Sequence, residues 1–488
     1  MKSSEEVRQQ LRSINRKSYP AYKGLKGLYH FGNYILSIDH VQGDPFASPS
    51  HVSIQISHRD AGFPVEYYKD TLTGTTLCDY LTRQFEKQVN QYSFRAKGSG
   101  KSGLLTVSHC GQEILSRTAC EITEKGITAR FFVGFPANGR TINATELEKI
   151  LFDFLPVCIQ KSFFYSSLNA KELQNYIELA EDQEFIRQTL PAKNLCAFIA
   201  DGSILPRESG ISSRPMKASV PFTSPDSLRI SINLPHKGKI TGMGIPKGIT
   251  LIVGGGYHGK STLLNALELG VYNHIPGDGR EYVITDATAV KLRSEDGRFI
   301  KDVDISMFIN DLPNKKDTRC FSTLDASGST SQAAGIVESM EAGSHLFLLD
   351  EDTSATNFMV RDAFMQQVIQ REKEPITPFL ERAEDLYKKA GISTILVAGS
   401  SGAFFHIADT IIQMDNYVPK DITASVKKLC SQYPLPAVSV TDFQLPHSHR
   451  IMSRPAESSK RLRHNSRGNH SDSGATKHER LKTRISGT

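Results

Sequence analysis

The stretch LIVGGGYHGKSTLLNALELG, residues 251–270, is the most informative about the fold of the second half of this chain. A short apolar run leads into a glycine-rich turn, and a segment of helical character follows it. Residues 254–261 match the pattern G-x-x-x-x-G-K-[S/T] without a mismatch. In this context the glycines let backbone amides turn towards an anion, and the helix N-terminus adds partial positive charge. The stretch therefore predicts a phosphate-binding loop, here called the phosphate loop.

Residues of the phosphate loop and the first helical turn are expected to contact ATP. They are Gly254, Gly255, Gly256, Tyr257, His258, Gly259, Lys260, Ser261 and Thr262. We expect Lys260 to bridge the β- and γ-phosphates and Ser261 to ligate Mg²⁺. A second stretch, GSGKSG at 98–103, lacks the first glycine of the pattern and precedes strand-like sequence. We interpret it as a basic turn, with contact to a polyanion as the alternative.

Two adjacent acids follow an apolar run in HLFLLDED, residues 345–352. Behind a phosphate loop, the first acid, Asp350, is expected to order the Mg²⁺ shell. The second, Glu351, is expected to polarise a water for in-line attack. Lys260 and Glu351 are therefore the candidate catalytic residues, and Ser261 and Asp350 the candidate metal ligands. The alternative is a buried strand that happens to end in a surface acid cluster.

Two further segments narrow the class of protein. DEDTSATN, residues 350–357, resembles the D-E-P-T-S-A-L-D stretch of ABC-type ATPases, and ASGSTSQ, residues 326–332, resembles a degenerate L-S-G-G-Q signature. The resemblance implies that Ser327 and Gly328 approach the γ-phosphate bound by a second copy, and hence a homodimer. A Ser/Gly-rich loop and helix start is the alternative interpretation of the signature-like segment 326–332.

Together with residues 18–50, 201–210, 254–285 and 293–309, these motifs resemble the small family of soluble predicted ABC-class ATPases that carry their own N-terminal domain. The resemblance covers roughly residues 15–440. It implies ATP and Mg²⁺ as cofactors and no transmembrane subunit. Family members look to continue beyond the last residue here, so residues 477–488 are expected to begin a shortened C-terminal domain.

The chain departs from the ABC pattern at one catalytic position. The histidine that such enzymes place after the next strand is absent from STILVAGSSGAFFHIAD, where Gly399 and Ser400 follow the strand and His406 comes late. Loss of this γ-phosphate contact predicts slow hydrolysis. No convincing Q-loop is found. RSEDGRFI, residues 293–300, lies in its sequence window and is either an exposed hairpin or a loop that couples nucleotide state to the neighbouring domain.

Composition sets the broad class and the expected compartment. A chain of 488 residues, 39% hydrophobic and 23% charged, is too long for one core and ordinary for a soluble protein. It has no apolar run of about 18 residues, so no membrane span is expected. Seven scattered cysteines without a C-x-x-C pair predict reduced thiols. The expected location is cytoplasmic, with nucleus or organelle matrix also compatible.

We predict an α/β protein with a P-loop ABC-type ATPase core whose sheet is mainly parallel. The predicted parts are an α+β N-terminal domain, a loop, the ATPase domain and a basic, disordered tail, at 1–195, 196–220, 221–445 and 446–488. The apolar runs TLIVGG, EYVITD, HLFLLDED and STILVAGS alternate with helical segments, which indicates a parallel sheet with helices on both faces.

The positive charge lies mostly in the tail. The chain carries +6 overall, and residues 446–488 contain ten Lys and Arg against three acids. Such a tail suits contact with a phosphate backbone, and Arg117, Arg130 and Arg140 would line a basic channel if they share a face. The leading hypothesis is an ABC-class ATPase that works as a slow nucleotide-gated clamp. The alternatives are a nucleotide-controlled RNA- or DNA-binding protein and a small-molecule kinase.

Overall fold

The computed structural model describes residues 1–361, 373–433 and 442–446. The chain divides into two compact units. The N-unit comprises Met1–Pro246, Thr262–Ala287 and Asn416–Pro419, and the P-unit comprises Lys247–Ser261, Thr288–Asp415 and the chain from Lys420 onwards. The predicted domain boundaries remain predictions. The predicted basic tail lies, from residue 447 on, outside the described residues.

The N-unit begins with a mainly antiparallel sheet packed against helices. Its strands run in the order β1-β2-β3-β4-β8-β5, with β7 also paired to β8. The strands are β1 (Lys2–Ser3), β2 (Gly27–His30), β3 (Ile35–His40), β4 (Ser50–Ile56), β5 (Leu105–Thr106), β7 (Cys120–Thr123) and β8 (Gly126–Val133). Three short strands pair elsewhere in this unit: β6 (Glu113–Ile114), β9 (Ala137–Asn138) and β10 (Thr141–Ile142).

The helices of this unit pack their apolar positions into the same core. They are α1 (Ser4–Ile14), α2 (His58–Ala61), α3 (Thr71–Tyr92), α4 (Ala144–Lys149), α5 (Leu155–Phe163) and α6 (Ala170–Ala192). Asn143 caps the N-terminus of α4, because its side chain accepts from the Glu146 amide at 3.3 Å. One π-helical turn, Ile150–Phe154, joins α4 to α5. The α+β character predicted for this region is confirmed.

A second sheet of the N-unit corrects two sequence interpretations. It is antiparallel, in the order β14-β15-β11-β18. Its strands are β11 (Leu195–Ala200), β14 (Arg229–Leu234), β15 (Gly238–Pro246) and β18 (Val283–Thr285). The interpretation of 196–220 as one long loop is wrong, because β11 is a buried central strand and a hairpin of β12 (Arg207–Ser209) and β13 (Ser212–Pro215) follows. EYVITD pairs antiparallel with β11 and does not join the parallel sheet.

The P-unit contains the predicted, mainly parallel sheet, in the order β19-β22-β23-β16-β24-β25. Its strands are β16 (Ile249–Val253), β19 (Val290–Leu292), β22 (Leu346–Asp350), β23 (Ser393–Val397), β24 (Thr410–Asp415) and β25 (Val418–Asp421). Strands β22 and β23 are buried along their whole length, as expected for a parallel sheet covered on both faces. A separate antiparallel pair contains β20 (Arg298–Val303) and β21 (Phe321–Ala326).

The remaining strand and helices complete the described elements. The strand β17 (Asn273–His274) pairs with β6. The helices are α7 (Lys260–Leu269), α8 (Gly328–Glu341), α9 (Thr356–Met359), α10 (Phe379–Ala390), α11 (Phe404–Ile407) and α12 (Thr423–Cys430). Across residues 1–361, 373–433 and 442–446, no helix has both the length and the apolar character that crossing a bilayer requires.

Candidate functional site

Three loops meet at one edge of the parallel sheet. The phosphate loop follows β16, Asp350 ends β22 and is followed by Glu351, and the turn 399–400 comes just after β23. Val397 of β23 is level with Ile252 on one side and with Asp350 on the other. Because carboxyl ends of parallel strands share one edge, this register brings the predicted phosphate, metal and base residues together.

The phosphate loop has a backbone shape that its glycines permit. Gly254 has φ 142°, and a Cβ there would lie 2.4 Å from the Met414 carbonyl oxygen, so only glycine fits beside β24. Gly259 has φ 97°. Tyr257 adopts a left-handed conformation with φ 64°, and its side chain is fully exposed. The loop therefore presents a large aromatic ring to solvent.

The half-buried Lys260 points its ammonium at the loop itself. Its Nζ donates to the carbonyl oxygens of Gly254 at 2.6 Å and Gly255 at 2.9 Å. Lys260 is also the first residue of α7, and Ser261 and Thr262 lie in the first turn of that helix, where Ser261 is exposed. The lysine is thus held at the mouth of the loop, next to the helix N-terminus that favours an anion.

His258 of the phosphate loop faces an acid of β24. Its Nδ1 lies 3.6 Å from Asp415 Oδ1, and Lys420 Nζ lies 2.6 Å from the other carboxylate oxygen. The ion pair with Lys420, assisted by His258, holds the pKa of Asp415 below its usual range. This contact braces the loop from the side, and it gives His258 a partner within the chain.

The two adjacent acids are Asp350, which ends β22, and Glu351, which follows it, and their pKa values are shifted in opposite directions. Asp350 is buried, and loss of solvation raises its pKa above the usual range, although the charges of Lys291 and Lys260 oppose this shift. A cation at this carboxylate would remove the cost of ionising it. The Asp350 carboxylate and the Ser261 hydroxyl are oxygen donors of the kind that Mg²⁺ takes, with its other ligands from water and phosphate. The residues present therefore fit Mg²⁺.

Glu351 is held by the turn 399–400. Its Oε2 accepts from the backbone amides of Gly399 at 2.7 Å and Ser400 at 3.0 Å, and its Oε1 accepts from the Ser400 hydroxyl. Partial burial favours the neutral acid, but these donors outweigh it and lower the pKa of Glu351. His406 lies further along, in α11, and its carbonyl accepts from Lys427.

The hydrogen bond from the Ser400 hydroxyl to Glu351 is not predicted by the sequence. There, Gly399 and Ser400 are identifiable only as the residues that stand in place of a histidine. Their proximity to Glu351 depends on the pairing of β22 with β23, across a separation of 49 positions for Ser400. The available signal for this contact was a serine shortly after β23, the strand that pairs with the strand ending in the two acids.

The signature-like segment starts α8. Ser327 is the N-cap residue, is exposed, and places its hydroxyl 2.9 Å from that of Thr330. Gly328 is the first helical residue, and a Cβ there would lie 3.1 Å from Asp296 Oδ1 and 3.2 Å from the Ser294 hydroxyl. Ser327 therefore contacts its own helix, and Gly328 lies beside the segment 293–300. The other predicted site residues lie at the edge of the parallel sheet.

Side chains of α8 connect it to the chain that follows Glu351. The buried Gln332 donates to the Ser354 hydroxyl at 2.9 Å and accepts from the Ala355 amide at 2.9 Å. Ser329 donates to Asn357 Oδ1 at 2.9 Å. Residues 329 and 332 are one helical turn apart and share a face. These contacts were also missed, because nothing in the sequence specifies the partner of a buried glutamine.

The segment 293–300 belongs in part to a hairpin and also contacts two neighbouring motifs, and its coupling role remains a prediction. Its last residues belong to β20 and pair with β21, as expected of a hairpin. Its first residues contact the other two motifs, because the Ser294 amide donates to the Thr353 carbonyl at 3.0 Å. In addition, the Glu295 amide donates to the Ser331 hydroxyl at 2.9 Å. The segment therefore touches both α8 and the chain after Glu351.

Comparison with known proteins identifies the class. Residues 169–448 match the family model for the P-loop domain of ABC ATPases, and residues 4–166 match the model described as the N-terminal region of ATPases of the ABC class. The first match covers more than half of the chain, and the site described above contains its phosphate loop. The protein belongs to the ABC-class ATPase family.

One curated relative matches in sequence. It is an uncharacterized protein of Methanocaldococcus jannaschii, 31% identical over 266 residues, which cover 52% of this chain and 58% of the relative. The chain therefore spans little more than half the length of the relative it matches. Because the relative is uncharacterized, it adds no substrate or partner.

Solved structures match at low identity. A putative metal-chelate type ABC transporter in an inward-facing conformation is 17% identical, covers 50% of this chain and 90% of its own, and has a TM-score of 0.30. The cbiO1 component of an ABC transporter complex of Clostridium perfringens is 13% identical, with coverage of 39% and 86% and a TM-score of 0.25. Scores this low carry no argument about this chain.

Proposed function

We propose that this chain hydrolyses ATP slowly at a site completed by a second copy, and that the nucleotide gates closure of the two copies. One observation carries the proposal. The phosphate loop, Asp350 and Glu351 lie at one edge of a parallel sheet, with Glu351 fixed by backbone amides. Phosphate binding, metal binding and water activation are the three tasks that hydrolysis of a nucleotide requires.

In this proposal the phosphates lie against the amides of the phosphate loop and the N-terminus of α7. Lys260 turns from the Gly254 and Gly255 carbonyls to the β- and γ-phosphates. Mg²⁺ held by Asp350 and Ser261 would neutralise negative charge on the phosphate oxygens. Glu351 accepts a hydrogen bond from the attacking water and orients it in line with the γ-phosphate.

The environment of Glu351 supports slow turnover. Three donors from the turn 399–400 stabilise its charged form, and a carboxylate of lowered pKa is a weaker base. The same donors occupy both carboxylate oxygens, so a water must compete with them. Slow hydrolysis suits a clamp that stays closed while ATP is bound and opens after hydrolysis.

The position of Ser327 is the reason for proposing a second copy. Ser327 is exposed at the N-terminus of α8, a helix of 14 residues. Within the part of the chain that the structure describes, its hydroxyl forms a hydrogen bond with Thr330 alone. An exposed helix N-terminus attracts a phosphate, but the nucleotide of the same chain is assigned to α7. A symmetric pair of copies lets each α8 face the nucleotide of the other copy, which gives two equivalent sites.

Mixing two inactive variants tests the shared site. Lys260→Ala should weaken nucleotide binding by its own loop and remove the lysine contact with the β- and γ-phosphates, whereas Ser327→Arg should leave that loop intact and obstruct the facing copy. Each variant alone is expected to hydrolyse little ATP. In a 1:1 mixture about half of the pairs are mixed and hold one intact site of two, so about a quarter of wild-type phosphate release should return.

Ser425→Arg, an exposed serine on α12, is the matched control and should behave like wild type. If the mixture stays inactive, or if Ser327→Arg alone hydrolyses like wild type, the shared site is wrong. Activity of both single variants at the wild-type rate would also overturn the assignment of Lys260.

Removing the Ser400 hydroxyl should move the pH dependence of hydrolysis. The pKa of Glu351 is lowered, so the ionised base persists to lower pH and the acid limb of kcat lies below its usual position. Ser400→Ala removes one donor to the charged form, raises that pKa, and shifts the acid limb to higher pH. The change in kcat at neutral pH should stay within about tenfold, the value of one hydrogen bond.

The measurement is kcat against pH by phosphate release, with Ser401→Ala as the control, because the backbone amides of the turn remain in that variant. An acid limb that moves to lower pH in Ser400→Ala, or does not move, would contradict the role given to Glu351.

The nucleic-acid alternative has no comparable support in the described residues. Each of the three arginines expected to line a basic channel is paired with a carboxylate: Arg117 with Asp79, Arg130 with Glu121 at 2.7 Å, and Arg140 with Asp44 at 2.9 Å. Each arginine is thereby engaged by a carboxylate, which Arg117 shares with Arg83, so no basic channel is proposed. A small-molecule kinase likewise has no observation in its favour.

A further inference from the structure

The C-terminal end of the phosphate-loop helix α7 is held by an arginine of α6. Arg187 Nη1 donates to the Gly270 carbonyl at 3.1 Å and to the Thr285 carbonyl at 2.7 Å, and its Nη2 donates to Asn273 Oδ1 at 2.8 Å. The side chain is 11% exposed. The last carbonyls of a helix carry partial negative charge, so a guanidinium there stabilises the helix end.

A buried histidine holds the same helix end. His274 is fully buried, with Nδ1 at 2.7 Å from Asp278 Oδ2 and Nε2 at 3.1 Å from the Leu269 carbonyl oxygen. The ring therefore bridges the Asp278 carboxylate and the carbonyl of the last residue of α7.

Asp278 links this histidine to an exposed hairpin. Arg207, the first residue of β12, donates to the Asp278 carboxylate at 2.9 Å and to the Asp278 carbonyl at 2.8 Å. Arg280 donates in return to the Leu205 carbonyl at 2.8 Å. The other end of the hairpin carries Ile211, which is fully exposed. A continuous polar chain therefore runs from the hairpin through Asp278 and His274 to Leu269.

Such a polar chain is energetically unfavourable in a protein interior compared with apolar packing. Burying charged groups costs free energy even when they are paired, and apolar residues of similar volume often stabilise a fold as well or better. What a buried polar network supplies is one defined arrangement. Here the arrangement fixes the helix whose other end forms the phosphate site. The participating residues lie in DGSILPRESG and in NHIPGDGR, segments to which the proposed function gives no role.

We propose that Arg187, His274 and Arg207 are positioning residues, which set the orientation of α7 and thereby the affinity of the phosphate loop for ATP. The proposal rests on the proposed function. It makes the hairpin Arg207–Pro215 a place from which nucleotide affinity is adjusted, because displacing Arg207 releases Asp278 and then His274.

The test is Arg207→Gln in the full chain, with ATP affinity by calorimetry, KM and kcat by phosphate release, and stability by urea unfolding. The expected result is a rise of about tenfold in Kd and KM for ATP, the value of one charge-assisted hydrogen bond, with a smaller change in kcat. Arg207→Lys keeps the charge and should recover most of the affinity. Arg214→Gln, an exposed arginine of the same hairpin, is the control and should bind like wild type.

Unchanged Kd in Arg207→Gln overturns the inference, whether or not the urea midpoint falls, because a merely structural residue would alter stability alone. If Arg207→Gln does not fold, amide hydrogen exchange of wild type decides. Added ATP should slow exchange in 207–215 and 274–280, and unchanged exchange overturns the inference. If wild type binds no ATP, the proposed function fails and this inference fails with it. If wild type binds ATP but Arg207→Gln binds equally well, only the inference fails.

Discussion

Replacing Glu351 with glutamine is expected to slow ATP hydrolysis by about 10²–10⁴-fold while ATP binding persists, because this is the usual contribution of a general base. Glutamine has the same shape but cannot take a proton from water. The residues that hold the phosphates, Lys260 and Ser261, are untouched. If hydrolysis opens the pair of copies, the variant should accumulate as an ATP-bound dimer, seen by sedimentation with and without ATP.

Glu384→Gln is the matched control, since this exposed glutamate of α10 pairs with Lys388 on its own helix. Its phosphate release should equal that of wild type. The assignment of Glu351 fails if wild type hydrolyses ATP no faster than Glu351→Gln, and the clamp fails if ATP produces no dimer in either protein. A variant that loses ATP binding as well would show that Glu351 holds the site rather than activating water.

The sequence predicted the parts of the site that are encoded locally. The phosphate loop is a strand, a turn and a helix in immediate succession, so its shape follows from residues 251–270 alone. The acids at the end of β22 were recognisable for the same reason, because they directly follow a short apolar run in the sequence. Family matches over residues 4–166 and 169–448 confirm the predicted class of protein.

Partners across the sheet were not predictable from one sequence. EYVITD has the same apolar character as the parallel strands, yet it pairs antiparallel with β11. Short apolar runs fit either environment, and only the long-range pairing decides between them. The same limit applies to the Ser400 contact with Glu351 and to the buried partners of His274, since each depends on segments distant in sequence.

Replacing Lys260 with alanine is expected to lower ATP affinity by about 10–150-fold, the range that one hydrogen bond to a charged group supplies. The ammonium now lies on the Gly254 and Gly255 carbonyls at 2.6 and 2.9 Å, so it is already at the loop when ATP arrives. Its removal also takes away the contacts that brace the loop without ATP, which should lower the stability of the unliganded protein. Lys239→Ala, an exposed lysine on β15, is the control.

The sharpest measurement is the rise in unfolding temperature that ATP causes, since ligand bound to the folded state stabilises it by about 2.7 kcal/mol at a concentration of 100 Kd. At such a concentration, a 10–150-fold loss of affinity should leave Lys260→Ala with about a tenth to a half of the wild-type stabilisation, while Lys239→Ala keeps all of it. The unfolding temperature of Lys260→Ala without ATP would measure separately the loss of the Lys260 hydrogen bonds to the Gly254 and Gly255 carbonyls, because that loss does not depend on ligand. An unchanged response to ATP in Lys260→Ala would place the phosphates somewhere other than residues 254–261, and the roles of Asp350 and Glu351 would then have no anchor.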